Sequence, residues 1–276
     1  MTHARAQLDA RGLTPKKSLG QNFLMDAGVC ARIARVACAT APTRMLEIGA
    51  GTGALTIALA ALCSDLTAIE IDDHLISLLR EREDLANVHF VHADALTFDY
   101  AAFAASGPWS VAGNLPYNIA TPIVTRLVEM DDAPETLVVM VQRDVADRFA
   151  AKPGTPMYGS LSIAVQYSFD VERVFTLGPN AFFPRPKIDS TIVAFRKRAQ
   201  PVAPVRDITL FRQVVRAAFA YRRKTLANSL HLALGHSREL ITAAIRQSAL
   251  SPEIRGEQLD IAAFARLADN LAAASI

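Results

Sequence analysis

Short apolar runs alternate with helical patterns through the first half of the chain. The apolar runs at residues 45–48, 66–71, 88–92, 109–112 and 137–141 predict strands. Helical patterns lie between them at residues 55–62 and 73–82, and another helix is predicted to open at Thr121-Pro122, a capping residue followed by proline. Strands that alternate with helices predict a parallel sheet covered by helices on both faces.

The pattern changes after residue 141. Helices predicted at residues 142–151 and 159–168 are followed by strand-like runs at 171–177 and 190–196, which a proline-rich turn joins. With no helix between them, these two runs should pair antiparallel and complete the sheet. A stiff linker is predicted at residues 200–204, Gln-Pro-Val-Ala-Pro. The patterns beyond it are helical, at residues 209–220, 224–234, 238–247 and 258–274.

These patterns predict an α/β protein of two domains. Residues 1–200 should form a Rossmann-like sheet of parallel strands with an antiparallel C-terminal pair, and residues 201–276 a small all-α domain. Hydrophobic residues make up 51% and charged residues 20% of the 276 residues, which favours a large core over disorder. The first 25 residues contain no apolar block typical of a secretory signal, and no apolar run reaches the roughly 18 residues of a membrane span. We expect a cytoplasmic protein that does not enter a membrane.

A glycine-rich turn follows the first strand of the sheet. Gly49, Gly51 and Gly53 lie between a predicted strand and a predicted helix. Glycine lets the backbone turn tightly and approach a ligand, and the start of a helix offers free N–H groups. The turn therefore predicts a nucleotide-like cofactor, but its spacing fits both S-adenosylmethionine and a dinucleotide.

Two carboxylates end neighbouring strands of the predicted sheet. Glu70 stands at the end of the second strand, where a carboxylate can accept hydrogen bonds from both ribose hydroxyls. Asp94 follows the third strand and is placed to accept a hydrogen bond from the exocyclic amine of adenine. Asp72 and Asp73 are expected to start the next helix, where acidic residues complement the helix dipole.

The segment Asn114-Leu115-Pro116-Tyr117 follows the fourth strand and predicts chemistry on an aromatic amine. Such an amine is a poor nucleophile because its lone pair is delocalised into the ring. The amide oxygen of Asn114 and the backbone carbonyl of Leu115 can accept its two hydrogens and draw the nitrogen toward tetrahedral geometry. Pro116 fixes the local backbone, and the ring of Tyr117 offers a surface on which a base can stack.

Taken in order, these motifs resemble the ribosomal RNA adenine dimethyltransferase family over nearly the whole chain. The resemblance rests on residues 20–24 (Gly-Gln-Asn-Phe-Leu), 47–53, 114–118 and 182–190, together with Glu70 and Asp94. It implies a Rossmann-like class I methyltransferase that uses S-adenosylmethionine. Residues 20–22 and Leu115 resemble the branch that acts on the small subunit. That branch dimethylates N6 of two adjacent adenosines in the 3′-terminal hairpin of 16S rRNA during ribosome biogenesis.

The resemblance, with the glycine turn, also implies roles for individual residues. The cofactor should lie among Gln21, Asn22, Leu24, Gly49, Gly51, Gly53, Glu70, Asp94 and Asn114. The reacting base should meet Asn114, Leu115, Pro116 and Tyr117, with the ring of Phe182 stacked on its other face; adjacent Phe183 is the other candidate. The chemistry needs no metal, since positioning the amine in line with the sulfonium methyl is enough.

The distribution of charge favours an RNA partner for the C-terminal domain. The net charge is only +2, but residues 1–200 carry −2 and residues 201–276 carry +4. The expected partner is 16S rRNA within the small subunit or its precursor, bound by a monomer. The residues predicted to contact RNA are Lys16, Lys17, Arg185, Lys187, Arg222, Arg223 and Lys224.

Several alternatives remain open from the sequence. One is an adenine-N6 methyltransferase of the large-subunit rRNA, of the type that confers macrolide resistance. Another is a non-catalytic RNA-binding assembly factor on the same fold. A DNA adenine methyltransferase is disfavoured because Leu115 replaces the first proline of its usual Pro-Pro-Tyr motif. A nicotinamide dehydrogenase would have no use for the Asn114 segment.

Overall fold

The computed structural model describes residues 14–221 and 223–274, which divide into two compact units. The first unit comprises the described residues up to Ala146 together with residues 170–197, and the second comprises residues 147–169 and those from Arg198 onward. This division differs from the boundary predicted at residue 200, because residues 147–169 join the C-terminal helices. Tyr158 and Ile163 from this segment share a hydrophobic core with Phe211.

The first unit contains the seven-stranded sheet. In spatial order its strands are β4 (His89–His92), β3 (Leu66–Glu70), β2 (Met45–Ile48), β5 (Ser110–Asn114), β6 (Thr136–Gln142), β9 (Ser190–Lys197) and β7 (Phe169–Leu177). The first five are parallel to their neighbours, and β9 is antiparallel to β6. Every residue of β2 and β3 is buried, as expected for strands that helices cover on both faces.

Helices precede, connect and follow the parallel strands along the chain. They are α1 (Ala27–Ala37), α2 (Ala54–Ala60), α3 (Asp73–Arg80), α4 (Tyr100–Ala104), α5 (Ala120–Val128) and α6 (Arg143–Phe149), the last of which spans the division between the units. The carboxylates of Asp26 and Asp72 accept hydrogen bonds from backbone N–H groups at the starts of α1 and α3. This is the usual role of aspartate at the N-cap of a helix. Helix α5 begins one residue before Thr121, so the predicted cap lies inside its first turn.

A second sheet of only two strands joins distant parts of the first unit. Strand β1 (Phe23–Leu24) pairs antiparallel with β8 (Phe182–Phe183), with Phe23 opposite Phe183 and Leu24 opposite Phe182. The backbone N–H of Met25 extends this contact by donating to Ala181 O at 2.9 Å. This ladder attaches the N-terminal segment to the loop that precedes β9.

The second unit is helical. It contains α7 (Ser160–Gln166), α8 (Ile208–Ala218), α9 (Leu226–Leu234), α10 (Arg238–Gln247) and α11 (Ile261–Ala274). Its core includes Phe211, Leu230, Ile245 and Phe264, each at most 2% exposed. The predicted α/β class, with parallel strands, an antiparallel C-terminal pairing and a helical C-terminal region, is confirmed. Within residues 14–221 and 223–274, no helix has the length and apolar character needed to cross a membrane.

Candidate active site

The carboxyl ends of four parallel strands meet at one open cleft in the first unit. The empty space within it, including the part open to solvent, is about 910 Å³. The predicted site residues that line it are Gln21, Asn22, Gly49, Gly51, Glu70, Asp94, Asn114, Leu115, Pro116 and Tyr117. This location at the ends of the strands is where open α/β sheets bind their ligands.

The glycine turn forms one wall of the cleft. Gly49 and Gly51 have φ angles of 79° and 58°, which a residue with a side chain rarely adopts. A Cβ at Gly51 would lie 3.1 Å from Cδ1 of Phe23, so the turn packs directly on that ring. Gly53 also has a positive φ, of 83°, but it caps α2 and its Cβ would lie 2.7 Å from Cδ2 of Leu79. Gly53 therefore serves helix packing and is not among the lining residues.

Glu70 holds the glycine turn against the end of β3. Its Oε2 accepts a hydrogen bond from Gly51 N at 2.9 Å, and its Oε1 accepts from Ile71 N at 2.9 Å and Asp72 N at 3.0 Å. Burial raises the pKa of Glu70, and the three N–H donors oppose that shift. Since a carboxylate oxygen can accept more than one hydrogen bond, Oε2 keeps acceptor capacity toward the cleft.

Asp94 follows β4, the strand beyond β3 on the same side of β2. Its Oδ1 accepts a hydrogen bond from Leu96 N at 2.8 Å, which fixes the turn that follows the strand. The same residue lines the cleft. Asp94 thus caps a local turn and is also one of the residues that face the cleft.

The amide of Asn114 has a defined orientation. Its Nδ2 donates a hydrogen bond to the backbone carbonyl of Asn22 at 2.8 Å, which leaves Oδ1 as the acceptor that the side chain presents to the cleft. Leu115 as a whole residue is 1% exposed, and it lines the cleft beside Asn114. Both predicted acceptors therefore lie at the end of β5.

The ring of Tyr117 is anchored by a residue of β9, a strand of the same sheet. Its hydroxyl shares a 2.7 Å hydrogen bond with Ser190 Oγ at the start of β9, and Ser190 is fully buried. Burial raises the pKa of Tyr117, so the phenol stays neutral. This bond holds the ring at the cleft wall, where an aromatic face can stack against a base.

Residues 16–24, which we call the N-terminal strap, form the remaining wall. Gln21 uses both ends of its amide within the protein: Nε2 donates to Asp72 Oδ2 at 3.0 Å, and Oε1 accepts from Lys16 N at 2.8 Å. The Nδ2 of Asn22 donates to Gly20 O at 3.0 Å. The side-chain amides of Gln21 and Asn22 thus hold the backbone of the strap in place, and that backbone shapes the cleft.

Two predicted site residues are buried elsewhere. Leu24 and Phe182 face each other in the β1–β8 ladder and are 4% and 3% exposed, within the core of the first unit. The ring of Phe182 therefore does not line the cleft in this structure, and its stacking on the target base stays a prediction. Phe183 packs against Phe23 and Leu75 and does not line the cleft either. A two-residue strand shows no periodicity, so no local pattern indicates this burial.

The residues predicted to contact RNA have different surroundings. Arg185 and Lys187 are exposed in the loop before β9, and Arg223 and Lys224 are exposed before α9. Lys16 instead forms an ion pair with Asp72, with Nζ 2.9 Å from Oδ1. Arg222 and the side chain of Lys17 lie outside the described part of the chain.

The sequence missed three residues that organise this cleft: Asp72, Ser190 and Phe23. Asp72 starts α3 as predicted, but its contacts with Lys16 and Gln21 join residues more than 50 positions apart. No local pattern indicates such contacts.

Within residues 14–221 and 223–274, no group of three or more His, Cys, Asp or Glu side chains is arranged to bind a metal.

Comparison with known proteins places this cleft in a family. The family described as "Ribosomal RNA adenine dimethylase" matches residues 12–272. The chain belongs to this family. It is therefore an S-adenosylmethionine-dependent enzyme that methylates adenine in ribosomal RNA, and the predicted family, enzyme class and cofactor are confirmed.

Relatives and solved structures agree with this assignment. The Pseudomonas aeruginosa "Ribosomal RNA small subunit methyltransferase A" is 48% identical over 259 residues, covering 93% of this chain and 94% of that protein. Its namesake from Geobacter metallireducens is 42% identical over 261 residues, covering 93% and 95%. The 23S rRNA methyltransferase ErmE has a TM-score of 0.68 at 28% identity, covering 91% and 99%. A dimethyladenosine transferase from Plasmodium falciparum shares the fold, with a TM-score of 0.70 at 24% identity over 89% and 95%.

Proposed function

We propose that this enzyme transfers methyl groups to N6 of two adjacent adenosines in the 3′-terminal hairpin of 16S rRNA, during biogenesis of the small ribosomal subunit. Relatives named for the small subunit are 42–48% identical over almost the whole chain, whereas ErmE, named for 23S rRNA, is 28% identical. This difference favours the small subunit over the large one. The observation that carries the chemistry is the fixed amide of Asn114 at the edge of the cleft.

The lining of the cleft fits S-adenosylmethionine. The donors of this cofactor include two ribose hydroxyls and the adenine amine, and the cleft offers the carboxylates of Glu70 and Asp94 as acceptors. Gly49 leaves room beside the backbone for close approach, since the nearest atom to a Cβ there would be Asn114 O at 3.6 Å. When bound, the cofactor supplies a methyl group activated by the neighbouring sulfonium.

Asn114 and Leu115 would activate the adenine amine. Asn114 Oδ1 and the Leu115 carbonyl accept its two hydrogens, which weakens conjugation of the nitrogen with the ring and exposes its lone pair. The bond from Asn114 Nδ2 to Asn22 O prevents the amide from rotating its donor toward the amine. The nitrogen would gain the methyl group as the bond from that methyl to sulfur breaks, which leaves S-adenosylhomocysteine, and a proton held by these acceptors would then be lost to solvent.

Tyr117 would support a base that has left its helix. Stacking on an aromatic ring contributes about 1–3 kcal/mol per base, which offsets part of the few kcal/mol that unstacking costs. Because Phe182 is buried, the support in this structure comes from Tyr117 on one face. The aromatic face also stabilises the transient positive charge on the amine.

Two exposed pairs of cations are the proposed RNA contacts. Arg185 and Lys187 belong to the catalytic unit, and Arg223 and Lys224 belong to the helical unit. We also propose that the enzyme acts as a monomer. The proposed compartment is the cytoplasm, where bacteria assemble ribosomal subunits.

Methyl transfer in vitro tests this proposal. Purified enzyme would receive labelled S-adenosylmethionine and small subunits that lack the modification, large subunits, or duplex DNA. We expect transfer to small subunits, and its loss in Asn114→Ala with cofactor binding largely retained. The matched control is Asn87→Ala, which alters an exposed asparagine. Transfer confined to large subunits, or a fully active Asn114→Ala variant, would overturn the proposal.

A further inference from the structure

The two ends of the N-terminal strap are held by different kinds of contact. Its C-terminal end is strand β1, which pairs with β8 and buries Leu24 against the core. Its N-terminal end is attached by polar contacts to Asp72, at the start of α3. Between these attachments, residues 18–23 form a wall of the cleft.

Asp72 binds two residues of the strap at once. Its side chain is 4% exposed, and Oδ1 lies 2.9 Å from Lys16 Nζ while Oδ2 lies 3.0 Å from Gln21 Nε2. Gln21 Oε1 closes a ring by accepting from Lys16 N at 2.8 Å. Burial acts to raise the pKa of Asp72, but the hydrogen bonds from Lys16 and Gln21 and the charge of Lys16 outweigh it, so the pKa is lowered. The carboxylate is thus held in its charged form.

The same residue is connected to both halves of the active site. Its backbone N–H donates to Glu70 Oε1 at 3.0 Å, beside the proposed ribose site. Its side chain binds Gln21, and the next residue of the strap, Asn22, supplies the carbonyl that holds the Asn114 amide. Movement of the strap away from Asp72 would therefore release the bond that orients Asn114.

We propose that Asp72 is a positioning residue for methyl transfer, which holds the strap against the end of β3 and so keeps the Asn114 amide oriented through Asn22. We call the contacts of Asp72 with Lys16 and Gln21 the clamp. Lys16 serves in this clamp and is not an RNA contact, contrary to its predicted role. The inference rests on the proposed function of Asn114 and adds the device that maintains its geometry.

The decisive variant is Lys16→Met. It removes the ammonium group but leaves the cap that Asp72 forms with His74 N at 3.2 Å, so helix α3 keeps its start. We expect the Kd for S-adenosylhomocysteine to rise about fivefold or more, the lower range of ordinary coupling between sites. The value of kcat should fall, while the KM for small subunits and its salt dependence should stay unchanged.

Two comparison variants separate the clamp from other effects. Asp73→Asn changes an exposed carboxylate 3.9 Å from the same ammonium and should leave all of these parameters unchanged. Lys187→Met should show the opposite signature, a raised KM for subunits with unchanged S-adenosylhomocysteine affinity. Lys16→Met combined with Asp72→Asn should be no worse than Asp72→Asn alone, because both changes break one interaction.

The outcomes are distinguishable. If Lys16→Met raises only the KM for subunits and flattens its salt dependence, Lys16 is an RNA contact and the clamp is wrong. Unchanged S-adenosylhomocysteine affinity and unchanged kcat would also overturn it. Because the affinity is measured without RNA, an error in the proposed methyl acceptor would leave that arm of the test standing.

Discussion

Replacing Glu47 by glutamine should change how the stability of the first unit depends on pH. Glu47 lies in β2 and is 1% exposed, and neither carboxyl oxygen has a hydrogen-bond partner. Burial raises its pKa from 4.5 to about 8, with the nearby charge of Glu70 adding to the shift. The Thr56 hydroxyl opposes the shift but is not in hydrogen-bonding geometry with either oxygen.

The magnitude follows from proton linkage. Between pH 4.5 and about 8 the folded protein holds a proton on Glu47 that the unfolded chain releases. The free energy of unfolding is therefore unaffected by this group below the pKa of Glu47 in the unfolded chain. It falls as pH rises through the window, by up to about 1.4 kcal/mol per pH unit. At pH 7 the accumulated loss is on the order of 3 kcal/mol relative to a neutral side chain.

Urea unfolding from pH 5.5 to 8 measures this effect, with Trp109 fluorescence as the probe. Trp109 is the single tryptophan of the chain and lies in the same unit as Glu47. Glu47→Gln should lose most of the fall in stability with pH and should be more stable than the parent at pH 8. Glu135→Gln, a change at an exposed position of the same unit, should follow the parent. Parallel pH profiles for Glu47→Gln and the parent would refute the reasoning.

Three further changes have defined outcomes. Gly53→Ala should lower the free energy of unfolding by about 1–3 kcal/mol because of the positive φ angle, and further because the new Cβ would contact Leu79. Gly154 has a φ of 80° with open space around it, so Gly154→Ala should lose only the part that comes from the φ angle. Melting curves measure both. Tyr117→Phe and Ser190→Ala should reduce kcat/KM similarly, and their combination should be no worse than either, since both remove one 2.7 Å bond; additive losses would contradict this. Replacing Arg223 and Lys224 by glutamine should flatten the salt dependence of subunit binding by up to about 1.8 units of log-log slope, and an unchanged slope would place the RNA elsewhere.

The sequence predicted the parts of the site that local patterns encode. The glycine turn, Glu70, Asp94 and the segment from Asn114 each follow a strand whose apolar run is visible, and parallel strands bring their carboxyl ends to one edge. The helices beyond residue 208 were predicted to within three residues at each end, because their apolar periodicity is continuous.

The remaining features depend on contacts between distant residues. The β1–β8 ladder has two residues in each strand, too few for any periodicity, and it decides that Phe182 is buried. The clamp between Lys16 and Asp72 spans 56 positions, so a basic side chain that suggested RNA is held within the protein. The helical segment 147–169 belongs to the second unit because of the core in which it packs, which its own pattern does not specify.

In the proposed reaction, oriented acceptors at the end of β5 activate adenine N6 in small-subunit rRNA. The decisive measurement maps N6,N6-dimethyladenosine in rRNA from cells that lack this gene, complemented with the parent enzyme or with Asn114→Ala. Two adjacent dimethyladenosines near the 3′ end of 16S rRNA should disappear on deletion and return only with the parent. Their persistence after deletion, their return with Asn114→Ala, or a loss confined to large-subunit rRNA would contradict it.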